Sequence, residues 1–257
     1  MKFQECGTNQ KDTILLLHGG GLSWWNYREV AELLKEEYHV VLPILDGHAG
    51  SDRPFTTIEE NAAEIIDFID KNLNGSALLI GGLSLGGQIL LEMLSQRVDI
   101  CTCALVESAA VVPSKFTNAL IAPAFGASYG LIKRRGFAKL QFRALHIKPE
   151  LFEDYYRDTC RIKKQDMIAF MKANTAYELK ASFQETTAEV HVYYGEKETK
   201  EIKRSAEAIR KALPACTVHS LQGCYHGEFS INRPEEYADA VKGILGAARG
   251  GENANDE

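Results

Sequence analysis

Short apolar runs alternate along this chain with longer segments in which apolar residues recur every three or four positions. Uninterrupted runs are typical of strands buried on both faces, and the stripes between them are typical of helices that cover a sheet. The predicted strands lie at residues 1–6, 13–17, 39–45, 77–80, 101–106, 190–194 and 217–221. Strands that alternate with helices in this way predict the α/β class, with a mostly parallel, doubly wound sheet.

The alternation stops between residues 108 and 182, where several helical patterns follow one another without an intervening strand. This segment is neither low in complexity nor rich in Gly and Ser, so it is not typical of a linker. We therefore predict a core formed by residues 1–107 and 183–249, with a helical cap inserted at 108–182. The polar residues 250–257 are expected to form a flexible tail.

Composition narrows the class of protein. The 257 residues are 45% apolar and carry a net charge of −6, which is ordinary for a globular protein and gives no reason to expect nucleic acid as a partner. No apolar run approaches the roughly 20 residues of a membrane span, so stable membrane insertion is not expected. Six irregularly spaced cysteines without a signal segment predict reduced thiols in the cytoplasm.

The glycine run at residues 19–21 does not form a dinucleotide-binding motif, because Trp24 stands where the last glycine of that motif belongs. The pair Cys101 and Cys103 has no second cysteine pair nearby, which makes it weak evidence for a metal site. We therefore expect neither a cofactor nor a metal ion.

The stretch from residue 77 to residue 94 carries the strongest chemical signal. An apolar run breaks at glycines around Ser84 and resumes as a helical pattern. The pattern Gly82-x-Ser84-x-Gly86 is that of a nucleophile elbow, a turn so tight that it pushes the serine hydroxyl out above the sheet. An incidental Gly-rich turn between strand and helix is the alternative, so the rest of the chain must supply a base, an acid and an oxyanion hole.

Further motifs accompany the elbow in a definite order. They are His-Gly-Gly at 18–20, Asp-Gly-His-Ala-Gly-Ser at 46–51, Gly-Glu-Lys-Glu at 195–198 and His226 after the last strand. With these motifs the chain resembles the α/β-hydrolase family over most of its length. The resemblance implies a mostly parallel sheet, a cap over the site, and acyl transfer with water as the usual acceptor. A serine at position 84 argues against the haloalkane dehalogenases and epoxide hydrolases, which the family builds with aspartate there.

Ser84 requires a base that takes its proton as attack begins. His226, on a Gly-flanked loop after the last strand, is the best candidate, and the order Ser, acid, His is that of the family. Family resemblance assigns His18 and His48 to the bracing of loops. The remaining histidines within or beside strands are expected to be packed or paired: His39, His191 and His219.

Three carboxylates end or follow strands on the expected side of the sheet. Glu198 stands three residues after Gly195, where the family pattern Gly-x-x-Asp places the acid, and it is the favoured candidate. Glu196 and Glu107 remain alternatives, since Glu107 ends the strand after the elbow, another location used for the acid in this fold. Glu198 could also be a surface carboxylate that stabilises the start of the next helix.

The oxyanion hole and the substrate contacts are predicted less directly. Leu85, the residue after the nucleophile, should supply one main-chain N–H, and Gly20 should supply the other, with Gly21 as its nearest competitor. Trp24 is a candidate for substrate contact, although it could equally pack against the helix that follows. Tyr225 is a second candidate for substrate contact.

Residues 108–149 contain seven basic residues and no Asp or Glu. They could steer an anionic substrate, or they could form a solvated face paired with acids elsewhere, and the second interpretation is favoured. The basic residues are Lys115, Lys133, Arg134, Arg135, Lys139, Arg143 and Lys148.

The sequence thus predicts a cytoplasmic serine hydrolase that cleaves the carboxylic ester of a small or medium acyl substrate through an acyl-enzyme intermediate. The alternatives within the enzyme class are a thioesterase, an aminopeptidase, an acyltransferase and a C–C hydrolase. A non-catalytic receptor that keeps the triad as a ligand clamp is the alternative from another class.

Overall fold

A computed structural model describes residues 1–253 as a seven-stranded sheet with helices on both faces. The strand order is β1-β3-β2-β4-β5-β6-β7; β1 runs antiparallel to β3, and all other neighbours are parallel. The predicted fold class is therefore confirmed. The strands are β1 (Lys2–Cys6), β2 (Thr13–Leu17), β3 (His39–Ile44), β4 (Ala77–Leu83), β5 (Cys101–Glu107), β6 (Glu189–Gly195) and β7 (Thr217–Leu221).

Of the six helices that pack on the sheet, four connect successive strands and the last two follow β7. Thr57 caps one of them, because its side chain accepts a hydrogen bond from the Glu60 N–H at 3.0 Å, as the Thr-x-x-Glu sequence predicts. These helices are α1 (Arg28–Leu34), α2 (Ile58–Asn72), α3 (Leu85–Gln96), α8 (Lys200–Ala212), α9 (Glu228–Asn232) and α10 (Pro234–Asn253).

Four further helices lie between β5 and β6, in the segment that we name the cap (residues 108–182). They are α4 (Lys115–Ile132), α5 (Arg135–Ala144), α6 (Phe152–Thr159) and α7 (Lys164–Ala176). No helix in residues 1–253 is long and apolar enough to cross a membrane. Of the predicted C-terminal tail, residues 250–253 complete α10, and residues 254–257 lie outside the described part of the chain.

The hydrophobic core has two layers, one on each face of the sheet. Alternate residues of β2 divide between them: Leu15 and Leu17 pack into the layer beneath α2 and α3, whereas Ile14 and Leu16 pack into the layer beneath α1 and α10. All four side chains are buried, which explains why the strand reads as an uninterrupted apolar run. This double burial fixes the carboxyl ends of β2, β4, β5 and β6 along one edge of the sheet.

Candidate active site

Ser84 lies in a strained turn between β4 and α3. Its backbone has φ +54°, a left-handed conformation that non-glycine residues seldom adopt. The turn tolerates no side chain at its flanks: a Cβ added to Gly82 would lie 2.4 Å from the Gly86 carbonyl oxygen, and one added to Gly86 would lie 2.1 Å from that of Leu17. The Ser84 N–H donates to the Glu107 carbonyl at 2.8 Å, which ties the turn to β5.

Ser84 and His226 line the same cavity, which has a volume of about 250 Å³. Besides these two residues, Asn174 is the polar residue among its lining residues, and no Asp, Glu, Lys or Arg is among them. The remaining wall is glycine or apolar: Gly19, Gly20, Leu22, Leu83, Leu85, Leu145, Ile147, Phe170, Met171, Gly227 and Ile231. The cavity therefore suits a neutral, largely apolar group next to the Ser84 hydroxyl.

His226 is oriented by a carboxylate behind it. Its Nδ1 lies 2.7 Å from Glu198 Oε2, while 47% of the His226 side chain remains exposed. Glu198 is buried, and its other oxygen, Oε1, accepts hydrogen bonds from the Ser108 hydroxyl at 2.6 Å and from the Gly195 N–H at 2.8 Å. A carboxylate on Nδ1 keeps the proton on that nitrogen, which leaves the Nε2 lone pair free to accept a proton.

Glu198 and His226 each shift the pKa of the other toward its charged form. Burial alone would raise the pKa of Glu198, but the hydrogen bonds from His226, Ser108 and Gly195 lower it below its ordinary value. Desolvation alone would lower the pKa of His226, but the hydrogen bond and negative charge of Glu198, together with the charge of Glu107, raise it. The ion pair that forms when the ring takes up a proton is therefore stabilised.

The other two predicted carboxylates lie elsewhere. Glu196 is exposed, and its carboxylate accepts the Gly223 N–H at 2.9 Å. Glu107 is buried, accepts the Ser230 N–H at 3.3 Å, and has a pKa raised to about 7 by burial. Of the three candidates, the structure brings Glu198 alone into hydrogen-bond contact with His226 within the described residues.

The loop after β2 brings main-chain N–H groups to the cavity. The Gly19 N–H donates to Asn26 Oδ1 at 3.2 Å and the Gly21 N–H donates to His48 Nε2 at 2.9 Å. These bonds leave the Gly20 N–H between them for a ligand, and they count against Gly21 as the donor. A Cβ added to Gly20 would lie 3.6 Å from the Leu85 side chain, so Gly20 adjoins the first residue of α3, where helical N–H groups have no partner within the helix.

Two buried histidines hold this loop in place. His18 Nε2 accepts the Leu45 N–H at 3.1 Å, and His48 Nδ1 contacts the Asp46 carbonyl at 3.0 Å while its Nε2 accepts from Gly21. Burial lowers the pKa of His18 to about 3 and that of His48 to about 4, so both rings are neutral near pH 7. The bracing role that the family resemblance implies agrees with these contacts.

The predicted substrate contacts are placed differently. Trp24 is not among the residues that line the cavity of Ser84; its ring packs with the core layer beneath α1, and the Arg28 guanidinium lies 5.9 Å from the ring centre. Tyr225 lines a neighbouring cavity of about 390 Å³, which His226 also lines. Its ring stacks on His146 with ring centres 3.8 Å apart.

Sequence reasoning did not identify several residues of the site. Ser108 has φ +56° and directs its hydroxyl at Glu198; its position directly after β5, the neighbour of β6, is the signal that could have identified it. Phe170, Met171 and Asn174 reach the cavity from α7. The Asn174 side chain donates to Gln88 Oε1 at 2.9 Å, so the cap is hydrogen-bonded to α3 beside the elbow.

None of the seven basic residues of segment 108–149 lines the cavity of Ser84. Arg135 pairs with Glu153, and Lys148 pairs with Glu29 at 2.6 Å. Within residues 1–253, no group of three or more His, Cys, Asp or Glu residues is arranged to hold a metal ion. The groups that meet at this site are a serine, a histidine, a carboxylate and main-chain N–H groups.

The His226–Glu198 contact gives a prediction for pH dependence. If the neutral ring is the base, kcat/KM is lost as pH falls through the pKa of His226, and the midpoint should lie above 6.5 because that pKa is raised. Glu198→Gln removes the negative partner and should move the midpoint to lower pH. The profile is measured with a neutral ester between about pH 5 and about pH 9. His18 and His48 do not titrate in this window, so a midpoint that stays fixed in the variant would assign the titration to a group not paired with Glu198.

Comparison with known proteins agrees with this geometry. The model of the "Alpha/beta hydrolase family" matches residues 14–240. An enol-lactonase from Burkholderia xenovorans LB400 superposes with a TM-score of 0.80 at 16% identity, covering 95% of both chains. Esterases from Thermogutta terrifontis and Exiguobacterium antarcticum each give a TM-score of 0.79 at 17% identity; the matches cover 96% and 95% of this chain and 93% and 94% of those chains. At such identities the likeness shows the fold alone. Because the family model spans most of the sequence, the chain belongs to the alpha/beta hydrolase family.

Proposed function

We propose that this protein is a serine hydrolase that cleaves the carboxylic ester of a small or medium acyl substrate. The observation that carries the proposal is the 2.7 Å contact between Glu198 and Nδ1 of His226, on a histidine that shares an apolar cavity with Ser84. A nucleophile, a base and an orienting carboxylate on adjoining loops have the arrangement that acyl transfer requires. Acyl transfer by Ser84 is the general claim of this proposal, and hydrolysis of an ester is its more specific claim.

The proposed reaction proceeds in two halves. Ser84 Oγ attacks the ester carbonyl while His226 Nε2 takes its proton, and Glu198 stabilises the imidazolium that forms. The Gly20 and Leu85 N–H groups donate to the oxyanion. His226 then gives its proton to the departing alcohol, which leaves an acyl group on Ser84. A water molecule, deprotonated by His226, attacks the acyl-enzyme. The bond between the acyl carbon and Ser84 Oγ breaks, His226 gives the proton to Oγ, and the carboxylic acid is released.

The shape and polarity of the cavity support a neutral acyl group. A second cavity of about 180 Å³ shares Gly20, Leu22, Leu145, Phe170 and Met171 with the first, so the two cavities adjoin. We propose that an acyl chain too long for the first cavity extends into the second. Two structural neighbours are described as esterases and one as an enol-lactonase, and each name denotes cleavage of an acyl–oxygen bond. These names support an ester as the substrate rather than a thioester or an amide.

The first experiment is labelling with a fluorophosphonate followed by kinetics. The proposal expects covalent labelling at Ser84 and turnover of a p-nitrophenyl ester. A panel of matched esters, thioesters and anilides then ranks the rival activities by kcat/KM. Labelling without turnover of any of them would contradict hydrolysis and would favour a receptor that uses the same residues to hold a ligand.

The second cavity gives a prediction about chain length. Gln141 lines this cavity and does not line that of Ser84, so Gln141→Trp should fill the extension and leave the elbow untouched. Excluding about two methylenes, each worth ~0.8 kcal/mol, should lower kcat/KM for a medium-chain p-nitrophenyl ester about tenfold. The acetate ester is the internal control and should change little. Equal losses on both esters would show that acyl chains do not enter this cavity.

We propose a cytoplasmic location from the state of the cysteines. No disulfide bond joins any two cysteines of residues 1–253, and Cys101, Cys103, Cys216 and Cys224 are buried. Thiols that form no disulfide persist where glutathione and thioredoxin keep them reduced, which supports the cytoplasm as the proposed location.

A further inference from the structure

The cavity of about 390 Å³ that Tyr225 lines has no part in the catalytic proposal, and we name it the Tyr225 cavity. His226 and Leu145 line both this cavity and that of Ser84, so the two cavities adjoin. Ser84 itself does not line the Tyr225 cavity. A substrate that extends from the nucleophile into the Tyr225 cavity therefore passes beside His226.

The chemistry of His226 indicates which part of an ester would occupy this cavity. In the proposed reaction the acyl group stays bonded to Ser84, and His226 Nε2 gives its proton to the alcohol oxygen as the bond between that oxygen and the acyl carbon breaks. The alcohol oxygen must therefore come within hydrogen-bond distance of His226, whereas the acyl chain extends into the apolar cavity of Ser84. A cavity that adjoins the site at His226 is in position for the alcohol portion.

Two stacked rings from the cap and from the loop of His226 form part of the wall. The rings of His146 and Tyr225 lie parallel within 4°, with centres 3.8 Å apart. Asn232 holds the turn that carries His146: its side chain donates to the His146 carbonyl at 2.7 Å and accepts the Lys148 N–H at 3.0 Å. The wall is therefore held by hydrogen bonds and a ring contact that join the cap to the core.

Lys197 gives the Tyr225 cavity a positive charge. Its Nζ lies 4.8 Å from the centre of the Tyr225 ring, a cation–π contact, and it forms no salt bridge within residues 1–253. Glu198 also lines the cavity, but its side chain is only 1% exposed and both of its oxygens are hydrogen-bonded within the protein. The charge that the cavity offers to a ligand is therefore that of Lys197.

We propose that the Tyr225 cavity binds the alcohol portion of the ester and that Lys197 selects alcohols that carry a negatively charged group. This inference rests on the hydrolase proposal. Ala144, Leu145 and Ile202 give the cavity apolar walls for the body of the alcohol, and Lys197 pairs with its anionic group. Because no Lys or Arg lines the cavity of Ser84, the substrate class is an ester of a neutral acyl group with an anionic alcohol.

The test compares two acetates whose alcohols differ in charge: p-carboxyphenyl acetate, which is anionic, and p-methoxycarbonylphenyl acetate, which is neutral. The measured quantity is the ratio of their kcat/KM values in a variant, relative to the same ratio in the wild type, so their different intrinsic reactivities cancel. Lys197→Met removes the charge and keeps an unbranched side chain, and it should lower the anionic-to-neutral ratio about fivefold. The difference should shrink at about 1 M salt, where the Debye length is ~3 Å.

Two controls separate this site from general charge effects. Lys211→Met makes the same change near the far end of α8, whose first turn adjoins the cavity, and it should retain the wild-type ratio. The second control moves the negative charge to the acyl group, by comparing p-nitrophenyl hemisuccinate with p-nitrophenyl butyrate. Lys197→Met should leave that ratio unchanged, because Lys197 does not line the cavity of Ser84. An equal fall in both ratios would overturn the assignment of Lys197 to the alcohol.

A second variant tests the cavity by shape. Ala144 is exposed and lines neither of the two acyl cavities, so Ala144→Trp should narrow the Tyr225 cavity without disturbing the core. It should lower kcat/KM for naphthyl acetate about tenfold relative to ethyl acetate, by excluding about two carbon atoms' worth of apolar contact. Ala119→Trp is the matched control, since Ala119 is an exposed alanine on α4 that lines none of these cavities.

The outcomes distinguish this inference from the hydrolase proposal. If the wild type turns over the neutral acetates and Lys197→Met keeps the wild-type anionic-to-neutral ratio, selection of anionic alcohols is overturned while the hydrolase proposal stands. Equal losses on naphthyl and ethyl acetate in Ala144→Trp would overturn binding of the alcohol in the Tyr225 cavity. A wild type that turns over no ester at all would overturn the hydrolase proposal, and this inference with it.

Discussion

Ser84→Ala lowers kcat for ester hydrolysis by about a thousandfold or more, if Ser84 is the nucleophile. The variant has no oxygen to form the acyl-enzyme, and His226 has no hydroxyl to deprotonate. Its fold should be unchanged, with Tm within about 2 °C of the wild type, because the side chain faces a cavity and makes no capping hydrogen bond in α3. Initial rates with p-nitrophenyl acetate and a thermal melt measure the two quantities.

Ser220→Ala is the matched control, since Ser220 is an exposed serine on β7, remote from the elbow in sequence. It should retain wild-type kcat and fluorophosphonate labelling, whereas Ser84→Ala should lose both. Near-full esterase activity in Ser84→Ala would assign the nucleophile to another residue. Lost activity together with a Tm lowered by many degrees would point to collapse of the elbow, and labelling of the wild type would then decide the assignment.

The fold could be predicted because its strands are buried on both faces. The run at 13–17 has no polar position to interrupt it, and the observed β2 has the same bounds. The strand predicted at 77–80 is longer in the structure, where β4 reaches Leu83. Gly81 and Gly82 look like a break locally, but they pair with Leu16 and Leu17 of β2 and with Leu105 and Val106 of β5. Tertiary pairing thus extends the strand beyond its local propensity.

The chemical groups of the candidate site could be predicted because they stand at the ends of strands. Carboxyl ends of parallel strands meet at one edge of the sheet, so Ser84 after β4 and Glu198 after β6 were expected to lie near His226 after β7. The main-chain donor of the oxyanion hole was harder to choose, because Gly20 and Gly21 are adjacent residues of the same type. The contact between Gly21 and His48, which depends on the packing of a distant turn, distinguishes them in the structure.

The walls of the cavity could not be predicted from the sequence. Phe170 and Met171 have helical spacing typical of a core helix, and nothing in that spacing says that α7 packs over the elbow, 86 residues from Ser84. Trp24 is not among the residues that line this cavity, and the sequence could not decide this either, since an aromatic residue after a strand packs equally well below a helix. The seven basic residues were visible as a run, but the face on which they lie depends on how α4 and α5 pack.

After Ser84→Ala, the largest loss of kcat is expected from substitution of Glu198, the proposed acid. Glu198→Gln should lower kcat by about a hundredfold or more while changing KM little. The amide cannot stabilise the imidazolium by charge, and its NH₂ group can face Nδ1, which favours the wrong tautomer of His226. Glu198 is well placed for the role because the Ser108 hydroxyl and the Gly195 N–H hold its second oxygen, so the carboxylate has a single orientation.

Two further Glu→Gln variants make the comparison specific to position 198. Glu196→Gln should retain kcat within a few-fold, because its carboxylate is exposed and contacts the Gly223 N–H rather than His226. Glu107→Gln should lose less than about tenfold, since Glu107 acts on His226 by charge alone and its pKa of about 7 leaves it partly neutral near neutral pH. If Glu107→Gln lost most of its kcat while Glu198→Gln retained nearly all of it, the catalytic acid would be Glu107, at the end of β5. That result would also require His226 to leave its 2.7 Å contact with Glu198 during catalysis.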